Sequence, residues 1–328
     1  MGKLSLSYAG HIADRVRGLY DGVVDVNGID LHFTALTPVE AFNRVLSGEF
    51  ATGEMSFSTV VTRVARGDFP FVAIPVFPAR TFRHGAIYVN SAAGIARPED
   101  LIGRRVGVPE YGMTAAVWAR GLLKHEYGVG PEDINWVTGG LTGPGRKPLV
   151  NLDLPKIRIE HEVERGLNDL LLEGAIDALI APQVPPALLA GDSRLAYLFA
   201  DVPAVEREYY KKTRIFPIMH TVVIRRDVYE RDPWIAANLF EAFVKAKNLC
   251  LADLTIDEPT TVSVPWIQHH VAATKRLFGE DFWPYGVEPN RATIEALCRF
   301  LYEQEITQRL VGVDELFAET FQSAPARL

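Results

Sequence analysis

The stretch Arg-Pro-Glu-Asp-Leu-Ile-Gly-Arg-Arg-Val-Gly-Val-Pro-Glu-Tyr-Gly-Met-Thr, from Arg97 to Thr114, leaves this chain few folds to choose from. Gly103 breaks the chain ahead of an apolar strand, Val106-Gly107-Val108. Pro109 ends that strand, because proline cannot donate to a central ladder. Gly112 and Thr114 then hand over to a helix, with Thr114 as the N-cap candidate. Ala115, Trp118, Ala119 and Leu122 recur at the i, i+3, i+4, i+7 spacing of a buried helical face. Such a strand–turn–helix unit turns free N–H groups and the positive end of a helix dipole towards whatever lies above the turn.

The same alternation runs through the rest of the chain. Strands are expected at 4–8, 31–35, 55–58 and 71–77, with helices at 13–20, 38–46 and 59–65 between them. Strands separated by helices of that length imply βαβ units and a mostly parallel sheet. A strand at 86–89 leaves that sheet. Strands at 134–137 and 176–180 and helices at 114–127 and 162–173 then build a second unit around the opening stretch. A strand at 216–224 returns, and helices at 233–250, 265–278 and 291–311 clad the first unit. A length of 328 residues suits two lobes. Residues 1–85 with 222–328 form the first, and 86–221 the second. The segment from Thr138 to Glu160 has no regular pattern, and a loop that long is functional or disordered.

The Pro-x-Asp-Leu-x-Gly-Arg-Arg-Val-Gly-Val pattern resembles the opening of the second lobe in proteins of the type II periplasmic-binding-protein fold. That resemblance implies a two-lobe α/β architecture, joined by two crossings, with a cleft between the lobes for a small ligand, usually an anion.

The formal net charge of −7 argues against a nucleic-acid partner, which would want a basic balance. No apolar run approaches the roughly 20 residues of a membrane span. Met1 to Tyr8 alternates like a strand, with no signal-peptide pattern ahead of it, so with Met1 as the start the expected location is the cytoplasm. Cys250 and Cys298, the two cysteines, both fall inside helical patterns, which suits core thiols and not a disulfide framework. The sequence leaves a homo-oligomer open.

If two crossings join the lobes, their side chains are the first place to look for a ligand site. The first crossing, Pro78 to Gly85, brings together Arg80, Arg83 and His84 with no acidic neighbour. The return crossing, Ile215 to Thr221, carries His220. Arginine grips carboxylates bidentately, so with the helix end at Thr114 this seam suits a small dianion. His11 and Arg15 lie in the first βα turn, which faces the cleft in a parallel sheet. Tyr111 and Ser58, beside the helix starts, complete the candidate contacts with Trp118, whose helical stripe also suits the core. His220 shares a strand face with Ile218 and Val222, so a core role rivals a functional one. Metal-ligand spacing is poor, with no His-Glu-x-x-His and no Cys-x-x-Cys. No cofactor is expected, though a divalent-metal site assembled from distant histidines such as His11, His84 and His220 stays open. Neither a phosphate loop, a dinucleotide fingerprint nor a Gly-x-Ser-x-Gly elbow occurs.

A narrower resemblance lies in Arg83-His84, the run from Val106 through Pro-Glu-Tyr-Gly-Met-Thr-Ala-Ala-Val-Trp-Ala-Arg to Val129, Phe216-Pro-Ile-Met-His, and Pro233-Trp234. Together these are similar to the 4,5-dihydroxyphthalate decarboxylase family. The resemblance implies loss of CO2 from a hydroxylated aromatic carboxylate in phthalate catabolism. Such chemistry needs a proton donor, for which His220 and His84 are both candidates. It also needs cationic clamps, here Arg80 and Arg83, with His11 and Arg15 on the first lobe's wall. A solute-binding protein for an aromatic or small dianionic ligand would use the same fold and cleft without turnover.

Overall fold

Strand–helix alternation folds into two sheets, and the chain crosses between them twice. The computed structural model describes residues 2–256 and 261–322. The first lobe opens with β1 (Leu4–Gly10), α1 (Asp14–Tyr20), β2 (Ile29–Ala35), α2 (Pro38–Leu46), β3 (Thr52–Ser56), α3 (Phe57–Arg66) and β4 (Phe71–Arg80). The second holds β5 (Ile87–Asn90), β6 (Arg105–Val108), α4 (Thr114–Tyr127), β7 (Asn135–Thr138) and β8 (Ile159–His161). It continues through α5 (Leu167–Glu173), β9 (Ala178–Ile180), α6 (Pro186–Leu189), β10 (Leu195–Tyr197) and α7 (Val202–Thr213). The chain returns in β11 (Ile218–Arg225), followed by α8 (Arg226–Arg231), α9 (Trp234–Asp253), α10 (Ile267–Phe278) and α11 (Arg291–Glu303).

The first sheet runs β2-β1-β3-β11-β4 and the second β10-β5-β9-β6-β7-β8. β11 lies antiparallel to both β3 and β4. Its first residue, Ile218, already pairs with Arg80, so the crossing ends before Ile218, and a boundary at 221/222 cuts through a strand of the first sheet. In the parallel parts of both sheets the strand ends that face the partner lobe are carboxyl ends, where ligands of such folds bind.

Local chemistry accounts for the helices that frame the cleft. In α2, Pro38 stands at the first turn, where its missing N–H costs nothing, and Ala41, Phe42 and Val45 turn inward. α3 ends at Gly67 and α4 at Gly128, both in the left-handed conformation that glycine adopts without strain. Inside α4, Gly121 allows α11 to approach so closely that a Cβ there would stand 2.1 Å from the Phe300 ring.

Other expectations shift as well, among them the helix expected over 162–173, which begins at Leu167. Thr114 is not the N-cap of α4: Met113 takes that position with an extended backbone, which frees the Thr114 hydroxyl to bond across to the first lobe. The segment 138–160 contains a strand, β8, whose Ile159 pairs with Trp136; the alternation at Ile157 and Ile159 is its signal. The helix expected over 291–311 stops at Glu303, because Gln304 turns inward to bond α4.

Candidate active site

Between the lobes lies a cleft of about 460 Å³. Pro38 and Thr114, the first residues of α2 and α4, line it together with Ser56, the N-cap of α3, so three helix starts converge there. Each helix start offers unpaired N–H groups and a partial positive charge, which favours an anionic occupant.

His220 stands on the first lobe's wall of this cleft. It lies opposite Ser56 on β3, and two residues back on the same strand face is Glu54, a diagonal neighbour within side-chain reach. The His220 Nδ1 donates to Glu54 Oε1 at 2.5 Å. Glu54 is buried, and its other oxygen accepts the backbone N–H of His11 at 2.9 Å. Burial pushes the Glu54 carboxyl up, but the hydrogen bonds from His220 and His11 outweigh it and hold the group below the usual carboxylate range. The Phe42 ring meets the imidazole edge-on at 4.8 Å and fixes its plane. With Nδ1 committed to a carboxylate, Nε2 is the nitrogen left for a ligand.

Arg83 lines the same cleft and is 8% exposed, an unusual depth for a guanidinium. Its Nε and Nη2 donate to the Met219 sulfur at 3.2 and 2.6 Å, a weak acceptor. Among the described residues no carboxylate bonds to it, and burial lowers its pKa to about 10. Met219 and His220, neighbours in sequence, both reach the cleft because the β11–β4 register shifts between Ile218 and His220 and again before Val222. A strand irregularity of this kind re-aims side chains, and such features favour active sites.

Across the seam, Thr114 Oγ1 lies 2.9 Å from both the Ser56 and Ser58 hydroxyls and accepts the Ser58 N–H at 3.0 Å. Ser58 itself is fully buried and donates to the Gly112 carbonyl at 2.8 Å, so it fastens the lobes and does not line the cleft. The loop after β7 forms the roof: Gly139, Gly140 and Arg146 all line the cleft. A Cβ on Gly140 would lie 2.2 Å from the Gly143 carbonyl oxygen, so the tight turn there admits glycine alone. Arg146 reaches Glu110 at 2.8 Å, and these two residues also form the wall of an adjoining cavity of about 460 Å³.

The remaining sequence candidates fall elsewhere. Arg80 is buried behind the crossing, where it donates to the carbonyls of Phe216 (3.2 Å) and Pro284 (2.8 Å) and to Asn290; it ties the C-terminal segment to the crossing and is spent before any ligand arrives. His84 is 1% exposed among Phe199 and Tyr209, and both its ring nitrogens lack a hydrogen bond. Burial lowers its pKa to about 4. Neither residue lines the cleft. His11 contributes its backbone to Glu54 and leaves its ring exposed. Arg15 donates to the Pro78 carbonyl at 2.5 Å and stacks over Trp283. Tyr111 lies under the Arg120 guanidinium and borders the adjoining cavity. Trp118 is core, donating from Nε1 to the Ile218 carbonyl at 2.9 Å. Among the described residues no group of three His, Cys, Asp or Glu side chains could hold a metal ion, and His11, His84 and His220 do not converge. No helix among them is long and apolar enough to cross a membrane.

Sequence reasoning missed Glu54, Met219 and Arg146. The signal for Glu54 was a lone acid inside the strand Thr-Gly-Glu-Met-Ser, where a buried carboxylate demands a partner.

Two lobes, two crossings and a ligand cleft define the periplasmic-binding-protein class of fold, and solved structures agree. The sulfonate-binding protein SsuA of Escherichia coli matches with a TM-score of 0.56 at 13% identity, covering 98% of this chain and 99% of that one. The alkanesulfonate-binding protein SsuA of Xanthomonas axonopodis gives 0.55 at 10%, with 98% and 99% coverage. The desulfurization enzyme DSZB, bound to biphenyl-2-sulfinic acid, gives 0.54 at 18%, with 96% of each chain covered. At these identities the likeness is one of fold alone. No protein-family model matches the chain. Individual relatives do: 4,5-dihydroxyphthalate decarboxylase of Comamonas testosteroni is 38% identical over 320 residues, 97% of each protein. The Pseudomonas putida protein of the same name is 37% identical over 214 residues, 64% of this chain and 83% of that protein. The chain belongs to the 4,5-dihydroxyphthalate decarboxylase family and is a carboxy-lyase.

Proposed function

We propose that the cleft decarboxylates 4,5-dihydroxyphthalate to 3,4-dihydroxybenzoate, with His220 as the proton donor. The observation that carries this reading is the His220–Glu54 pair on the wall of a cleft that also holds a buried arginine without an acid partner.

In the substrate, each carboxylate-bearing ring carbon lies para to a hydroxyl. Electron density pushed from that oxygen makes the carbon basic enough to accept a proton. His220 delivers the proton from Nε2 while Glu54, on Nδ1, holds the ring's tautomer and balances the imidazolium charge. The carbon–carboxylate bond then breaks, its electron pair returns to the ring, and CO2 leaves. The dianion and one proton become a monoanion and CO2, and solvent restores the proton to His220. Arg83 anchors the carboxylate that stays, and such positioning contributes several kcal/mol. Ser56, Thr114 and the helix starts around them supply donors for the ring oxygens.

Incubating purified protein with 4,5-dihydroxyphthalate and following CO2 and 3,4-dihydroxybenzoate tests the reading. Stoichiometric appearance of both supports it. Tight binding with no turnover of any hydroxylated phthalate would instead support a carrier.

A further inference from the structure

Besides Arg83, a second arginine reaches the cleft without a committed oxygen partner. Arg146 lies 2.8 Å from Glu110 Oε2, close enough for an ion pair. Yet its N–H groups do not point at that oxygen, and Oε2 is left without a hydrogen bond. Arg146 makes no other ion pair or hydrogen bond among the described residues, so its forked N–H groups are free to donate to a better-aligned carboxylate. Glu110 is buried and stays fixed, because Oε1 also accepts the backbone N–H of Leu149 at 3.2 Å. The cleft therefore holds two available guanidinium groups, and only one of them has an internal carboxylate waiting beside it.

We propose that Arg146 is the residue that tells substrate from product. Resting on the decarboxylase reading, the assignment is that Arg146 leaves Glu110 for the carboxylate that departs as CO2, while Arg83 keeps the one that remains. Once CO2 has gone, Arg146 has no ligand oxygen to hold and returns to Glu110. The product is then gripped by one arginine instead of two, and it dissociates more readily than the substrate did. Glu110 acts through Arg146 by competing with the ligand, so it tunes affinity without touching the reacting atoms. No bond is made or broken in this exchange; one carboxylate replaces another on the same cation.

Phthalate and benzoate differ by one carboxylate and lack the ring hydroxyls that the chemistry needs, so calorimetry with this pair isolates the exchange from turnover. Arg146→Gln is expected to weaken phthalate at least about tenfold, as loss of one charge-assisted pair implies, and to move benzoate less than about twofold. Glu110→Gln keeps an acceptor for the Leu149 N–H but removes the competing charge; it is expected to tighten phthalate severalfold and leave benzoate unchanged. Arg146→Lys, which keeps the charge without the fork, should fall between wild type and Arg146→Gln. Opposite signs for Arg146→Gln and Glu110→Gln are the signature. Weakening of phthalate by both variants, equal effects on both ligands, or no effect of Arg146→Gln would each overturn the proposal and leave the pair a fastening of the roof loop. Melting temperatures of the three variants show whether a loss of affinity is a loss of fold. Because the readout is binding, failure to turn over 4,5-dihydroxyphthalate would appear as a separate result.

Discussion

His220 and His84 stand near the two crossings between the lobes, each with a glutamate for a neighbour. His220 Nδ1 bonds Glu54 at 2.5 Å, and the ring lines the cleft. His84 Nδ1 lies 3.9 Å from Glu206, beyond a hydrogen bond, and its ring is sealed among aromatics. Burial raises both carboxyls, and the hydrogen bonds around them set the two apart. Glu54 is held below the usual range by the donors around it, whereas burial raises Glu206, the partial attraction of Gly85 and Arg83 notwithstanding. Depth alone does not make a functional histidine. A partner that fixes one nitrogen and a path to ligand for the other do.

The comparison breaks most sharply at His220. Replacing it with Ala is expected to lower kcat for 4,5-dihydroxyphthalate by about 10²–10⁴-fold, the usual worth of a positioned proton donor, with the melting temperature little changed. Near-normal turnover in His220→Ala would remove the donor assignment.

His84 should show itself in stability instead. Its folded pKa is about 4 against an ordinary 6.5, so between these values the unfolded chain binds the extra proton. Stability is therefore full above pH 6.5 and is lost as pH falls towards 4, by about 3 kcal/mol in all. Glu206, raised by burial, offsets part of that loss. Denaturant titrations of His84→Phe across this range should show a flatter profile than wild type; an unchanged profile would mean that His84 is protonated in the folded state. Glu54 has the lowered carboxyl, so its contribution is present above about pH 4.5 and vanishes only in stronger acid, as pH falls through its folded value.

Glu54→Gln keeps the shape of the pair and removes its charge. We expect about 10–100-fold lower kcat with KM little altered, because the loss falls on the charged donor and not on substrate binding. Equal changes in kcat and KM would point to a general loosening of the wall. The smallest effect is expected for His84→Phe on catalysis: kcat within about twofold of wild type at neutral pH, and a larger fall would bring His84 back as a participant.

The fold was largely legible from residues because periodicity reports burial, and burial defines these elements. α2 and α4 begin and end where proline, glycine and the apolar stripe place them. The family was legible in the Pro-Glu-Tyr-Gly-Met-Thr run. The site was legible only in part. Arg83 and Arg80 look alike in sequence, two cations at an acid-free crossing. What separates them is that the two Nη groups of Arg80 are taken by the carbonyls of Phe216 and Pro284, 136 and 204 residues away. Backbone acceptors leave no trace in composition. Glu54 escaped for the complementary reason: the strand was expected to begin at Met55, yet it begins at Thr52 and carries Glu54 on the face of its neighbour's histidine.

One feature of α4 bears on how the cleft opens. Its Thr114 bonds Ser56 and Ser58, its Trp118 bonds the Ile218 carbonyl, and its Arg120 and Val117 carbonyl both engage Gln304. Two-lobed proteins that capture ligands commonly do so by hinge closure, swinging like a clamshell. Here a swing would rupture all of these contacts, each worth about 1 kcal/mol net and more for the one that holds a guanidinium. Lifting residues 142–150 of the roof loop would break two: the Leu149 N–H and the Arg146 contact, both held by Glu110, while its flanks stay tied through the Gly140 and Leu141 carbonyls to the N–H groups of Leu167 and Asn168 and through the Asn151 carbonyl to Arg66. The molecule is accordingly a bolted clamshell with a hinged roof tile. A ligand would reach the cleft by moving a short stretch of chain, and the aligned His220, Arg83 and helix starts would stay where folding put them.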